Sequence, residues 1–156
     1  MLLKSHGGQI AVMEIVARDL RIRNKMVMVA DNWFAMRHPA GVLVAAEAQH
    51  GIHAGNPENS VMLALHPGFA QIDKTRMFAP TNAGLADENT HLDLTPAGRI
   101  AGATQDIHPD GAAGDPTRAT PEKSRAFIDR AAQPIVFLPT QVQRLSLSFP
   151  DNDGQQ

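Results

Sequence analysis

Seven histidines and sixteen acidic side chains are the reactive material of this chain, because cysteine and tyrosine are both absent. Without a thiol, disulfides, thiolate metal sites and a cysteine nucleophile are excluded together, so any metal must bind through imidazole and carboxylate. Three segments set such groups among residues that can shape a site. Ser5-His6-Gly7-Gly8-Gln9 puts His6 where a possible strand gives way to a helix, and the two glycines let backbone approach a metal or substrate. His53-Ala54-Gly55-Asn56-Pro57-Glu58-Asn59-Ser60 puts an imidazole just before a helix start and Glu58 in its first turn, where the helix dipole favours an ionised carboxylate. Gln105-Asp106-Ile107-His108-Pro109-Asp110-Gly111 offers Asp106 and His108 as ligand types, in a sequence that equally suits an Asx or proline turn. For each segment a plain turn or cap is the alternative to a site. His38, His50, His66 and His91 lack a partner at ligand spacing and are read as surface or structural histidines.

The elements that would position these groups follow from periodicity and punctuation. Ile10, Met13, Ala17 and Leu20 recur at helical spacing, with Glu14, Arg18 and Arg21 for the wet side, which predicts a helix over 9–22. Met26-Val27-Met28-Val29-Ala30 is a short, partly β-branched run closed by Asp31-Asn32 and predicts a strand. With Leu2 and Leu3 ending an earlier strand, the opening reads as a β-loop-α-β unit with parallel strands. Residues 33–55 resist assignment. Asn56-Pro57-Glu58 starts a helix over 57–65, with Asn56 as cap and Pro57 in its first turn, and His66-Pro67-Gly68 stops it. Residues 79–118 read as long surface loops. Thr120-Pro121-Glu122 opens a helix over 121–132, and Pro134 and Pro139 are expected to kink or break its continuation.

Composition bounds the classes. Of the 156 residues 43% are hydrophobic and 19% charged, which suits an ordinary globular chain of one compact domain over 1–150 with a flexible tail at 151–156. A net charge of −2 is far from the basic field that nucleic acid or an anionic membrane calls for. No apolar stretch approaches a signal sequence or a membrane span, so a cytoplasmic protein is expected.

In this order the segments resemble the creatininase family, which includes creatinine amidohydrolase and enzymes acting on related amides and formamides. Ser5-His6-Gly7-Gly8-Gln9 is similar to the family's N-G-H-G-G-N loop, and the resemblance implies that His6 is a metal ligand. Gly51-Ile52-His53-Ala54-Gly55 with Glu58-Asn59-Ser60-Val61-Met62-Leu63-Ala64-Leu65 is similar to G-I-H-A-G-E-x-E-T-S-x-M-L-A-L. It implies that His53 contacts substrate and donates a proton to the leaving group, and that Glu58 is the carboxylate of the E-T-S element. Asn56 stands where the motif has its earlier glutamate, and Asn59 where it has threonine. Residues 105–115 and 119–123 resemble family members as well.

The resemblance implies an α/β fold, a creatininase-like three-layer α/β/α sandwich truncated at the N-terminus, with this chain as the family's C-terminal part. It implies hydrolysis of a cyclic or linear amide C–N bond by a metal-activated water, the divalent metal being zinc, manganese or iron. The family's Glu-x-His pair and bridging aspartate lie upstream of the His6 loop and have no counterpart here, so the site is expected to be incomplete. A homo-oligomer, or a partner chain supplying the missing half, is the expected assembly, with a small amide as substrate. The rival expectation is a non-catalytic remnant or one half of a split enzyme. His6 and His53 are expected to share one crevice, within about 10 Å of each other.

Overall fold

The computed structural model describes residues 1–33, 38–81, 84, 88 and 102–145. Within them the contacts gather into two compact units, one of residues 1–36 and 131–156, the other of residues 37–130.

The first unit opens with β1 (Leu2–Lys4), a tight 3-10 turn (Gly7–Gln9), α1 (Ile10–Asn24) and β2 (Ala30–Asn32). The strands are parallel, Leu2 facing Ala30 and Lys4 facing Asn32, so the expected β-loop-α-β unit is present. A parallel pair needs a crossover, and α1 supplies it. Lys25 ends α1 in the left-handed conformation, at φ 47°. The second strand begins at the last residue of the expected 26–30 run: Val29 accepts a bond from the Leu2 N–H at 2.8 Å, and the ladder then continues over 30–32. The apolar run therefore leads up to the strand, because β1 is only three residues long and pairs at the end nearest the His6 loop. Of the expected inner face of α1, Met13, Ala17 and Leu20 are half-buried but Ile10, at its first turn, is exposed, and Val12, Ile15, Val16 and Ile22 are exposed as well.

The second unit holds α2 (Ala45–His50), α3 (Asn56–Leu65), and α4 (Thr104–Ile107). 3-10 turns at Pro67–Phe69, Ile72–Lys74 and Pro116–Arg118 join them, the last lying against α3. The loop reading of 79–118 is corrected in part. Residues 113 and 114 form antiparallel bridges, Ala113 to His53 and Gly114 to Phe78, and α4 is a short helix. Residues 89–101, with His91, and the tail at 151–156 lie outside the described residues.

Helix α5 (Pro121–Gln143) begins where Thr120-Pro121-Glu122 places it, but runs beyond 132 through both internal prolines. Proline's fixed φ is itself helical; each ring removes one N–H donor and crowds one carbonyl, a cost that the flanking turns absorb without a break. Among the described residues the buried aliphatic and aromatic side chains are Ala112, Ala113, Phe127 and Ala131, and the buried polar ones are Lys4, Glu47, Asn56, Ser60 and Ser124. No helix among the described residues is long and apolar enough to cross a membrane. Pro134→Ala restores the N–H that can bond the Arg130 carbonyl and should raise the unfolding free energy by about 1–3 kcal/mol, read by urea denaturation.

Candidate active site

The segment carrying His53 is held by backbone on both sides. The N–H groups of Ile52 and His53 both donate to the Ala113 carbonyl, at 2.7 and 3.1 Å, and the Ala113 N–H donates back to the His53 carbonyl at 2.8 Å. Ala54 then takes the left-handed conformation, at φ 54°, which an alanine adopts only under constraint. The constraint is visible: the Asn59 side-chain amide donates to the carbonyls of Ala54 and Gly55, at 2.8 and 2.9 Å. Gly55 is the cap of α3, and its N–H donates to Glu58 Oε2 at 3.1 Å, so the carboxylate reaches back across the first turn. The expected cap, Asn56, is the first helical residue instead. Its side chain accepts from the Ser60 hydroxyl at 3.0 Å, and Ser60 Oγ in turn accepts from the Thr120 N–H at 3.1 Å.

Beneath this loop lies Glu47, buried at 7% exposure. Its Oε1 accepts from the Asn56 N–H at 2.7 Å and its Oε2 from the Asp115 N–H at 2.8 Å. Glycines surround it. A Cβ on Gly55 would stand 2.1 Å from Glu47 Oε1, one on Gly51 3.0 Å from its Cδ, and one on Gly114 3.1 Å from Oε1 and 2.7 Å from the Gly55 Cα. Burial pushes the Glu58 carboxyl above the ordinary carboxylate range; its own N–H and that of Gly55 pull it down, and the charge of Glu47 pushes it up again. Burial lowers His38, partly offset by Glu47, and its ring meets Phe127 edge-on at 5.7 Å, the structural role its sequence context suggested.

His6 lies exposed at the start of the Gly7–Gln9 turn, just past β1. Its imidazole folds over Gly8, where a Cβ would come 3.0 Å from Nε2, whereas Gly7 has open space. The second glycine of the pair is thus the one that the histidine requires. The third segment resolves into turn chemistry. Asp106 Oδ2 accepts from the Ala103 N–H at 2.6 Å at the start of α4, and His108 Nδ1 accepts from the Asp110 N–H at 3.1 Å. The His108 ring packs edge-on to Phe78 at 5.5 Å, and Arg76 pairs with Asp110 at 2.6 Å. Among the described residues no group of three or more histidine, aspartate or glutamate side chains is placed to hold a metal ion.

The structure thus brings His53 and Glu58 onto one loop-helix junction and adds Glu47 below it. His6 belongs to the other unit. The sequence carries one sign of Glu47 that the motif reading passed over: an acid set among alanines and followed by glycines at 51 and 55, small neighbours that let backbone close over a carboxylate.

The family model for creatininase, creatinine amidohydrolase, matches residues 1–138. The chain belongs to the creatininase family. Solved structures carry the same α/β fold. A protein of Bacteroides fragilis NCTC 9343 assigned as a creatinine amidohydrolase is 22% identical, with a TM-score of 0.65, over 88% of this chain and 51% of its own. A tryptophan-to-phenylalanine variant of creatininase is 19% identical, with a TM-score of 0.53, over 83% and 48%. A creatininase variant complexed with creatine is 16% identical, with a TM-score of 0.51, over 83% and 49%. This chain therefore spans about half the length of the creatininase structures it matches. No curated protein sequence matches it.

A raised carboxyl has a definite consequence for stability. The folded state holds the Glu58 proton more tightly than the unfolded chain, so this stabilisation is full below the ordinary carboxylate pKa and is lost as pH rises through the higher folded value. Urea unfolding of the natural chain and Glu58→Gln across the acid-to-neutral range should show the natural chain losing ground to the variant as pH rises. The opposite trend would mean that the N–H donors outweigh burial.

Proposed function

We propose that this chain carries the acid–base part of an amidohydrolase site acting on the C–N bond of a cyclic or linear amide, with His53 delivering a proton to the leaving nitrogen. The observation that carries the reading is the His53–Glu58 junction, in which the family's motif residues are fixed by the Ala113 bridge, the Asn59 amide and the Gly55–Glu58 bond. A positioned proton donor contributes about 10²–10⁴-fold to such a reaction. Glu58, half-buried and raised by burial in spite of the Gly55 N–H, is suited to hold a proton or a polar substrate group beside His53.

The family's divalent metal, when bound, polarises the amide carbonyl and lowers the pKa of a water. The described residues do not themselves form a three-ligand site, so in this reading His6 is one ligand of a set completed from outside them. Zinc, manganese and iron all accept such ligands.

The test is hydrolysis of creatinine and simple formamides by the purified chain at high protein concentration, with metal content measured alongside. Feeble turnover and less than one metal ion per chain are expected, with the turnover lost about 100-fold in His53→Ala. His6→Ala should lower the metal content further. Turnover unchanged in His53→Ala would remove the reading.

A second reading, an assembly subunit whose partner supplies the rest of the fold, is favoured by the half-length match to creatininases and by the exposed face of α1. Unpartnered apolar surface of this kind drives association. Sedimentation should show concentration-dependent self-association that Ile15→Glu and Ile22→Glu together reduce. A dilute monomer unaffected by both would count against it.

A further inference from the structure

We infer that Glu47 is the positioning residue of the His53 loop, acting through backbone rather than on the reacting atoms. The inference rests on the reading of His53 as the proton donor, and adds to it the group that fixes where the imidazole is presented. His53 is joined to Ala113 by paired backbone bonds. The two N–H groups that Glu47 accepts from belong to residues that follow the bridged pair in sequence, Asn56 after His53 and Asp115 after Ala113, and the bridge being antiparallel, these segments leave it in opposite directions. The left-handed turn at Ala54 brings Gly55 back against Gly114, and there one carboxylate ties the two segments together, so that neither can shift without breaking a bond to it.

The chemistry demands a glutamate. Both oxygens serve as acceptors, so a glutamine would turn its NH₂ toward one N–H and set donor against donor. An aspartate, one methylene shorter, cannot keep both bonds from the same backbone. The space demands the glycines: any side chain at 55 would occupy the position of Oε1, and one at 114 would strike the Gly55 Cα. A carboxylate buried merely for stability would be an inefficient device, since desolvation offsets much of its gain. Spanning two loop segments with one rigid group is what it does better than an apolar side chain.

The experiment uses the full chain, isotope-labelled for NMR. In Glu47→Gln the His53 imidazole resonance should move together with the amides of Asn56 and Asp115, while the His6 and His66 resonances stay in place and the circular dichroism is unchanged. Gly114→Ala, which leaves the carboxylate intact and crowds it from the opposite side, should move the same set. In the unsubstituted chain, hydrogen exchange of the His53, Asn56 and Asp115 amides should show protection within about threefold of one another, as parts of one opening unit. That measurement decides the matter if neither variant folds. Where turnover is measurable, Glu47→Gln should lower kcat about tenfold with KM changed less than about twofold. A His53 resonance that stays put in folded variants, or His53 exchange tenfold or more out of step with Asn56 and Asp115, would overturn the inference. Loss of the amidase reading would instead appear as His53-independent turnover with these NMR results intact.

Discussion

Two hydrogen bonds to one buried carboxylate organise the second unit. Each is a charge-assisted bond from a backbone N–H, roughly twice as strong as a neutral one, and each joins Glu47 to a segment remote in sequence. The surrounding architecture answers to that demand. Glycines stand where a Cβ would collide with it, the Asn56 N–H reaches Oε1, the Ser60 hydroxyl donates to the Asn56 side chain, and the Thr120 N–H donates to Ser60 Oγ. A buried charge without such partners would cost several kcal/mol, so this network has to be complete or be replaced altogether.

Helices α3 and α5 were readable in the sequence because their starts have local causes, whereas the short α2 and α4 carry no such signal and were missed. Pro57 and Glu58, or Pro121 and Glu122, favour a helical first turn whatever lies around them. The strand was readable as to kind and partner but not as to register, since the ladder over 30–32 depends on where Leu2–Lys4 comes to rest, a fact held elsewhere in the chain. The extent of α5 failed for a related reason. A proline's local cost is visible in sequence; whether the turns on either side of Pro134 and Pro139 hold the helix together in spite of it is not.

The candidate site divides the same way. His53 and Glu58 are close in sequence and form one junction, so their motif survived translation into structure. Asn56 could be seen as polar and helix-starting, yet its actual role depends on a carboxylate nine residues earlier, and that carboxylate bonds a residue 68 positions later. Glu47 fell in the unassigned stretch 33–55, and although glycines at 51 and 55 stand near it in sequence, the partners that its carboxylate accepts from are not announced there. Asp106 and His108 followed the turn alternative that their sequence had left open, bonded to the N–H groups of Ala103 and Asp110.

Ala54 bears on how the loop came to be stiff. A left-handed residue without glycine's freedom costs about 1–2 kcal/mol in the folded state, and glycine would relieve it. Glycine would also multiply the conformations open to the chain before folding, all of which must be surrendered when the loop forms. Alanine here exchanges a small steric debt for a narrower starting ensemble. The segment ahead of α3 is thus biased toward a few shapes while still unfolded, and the turn that presents His53 is selected from a short menu rather than searched for.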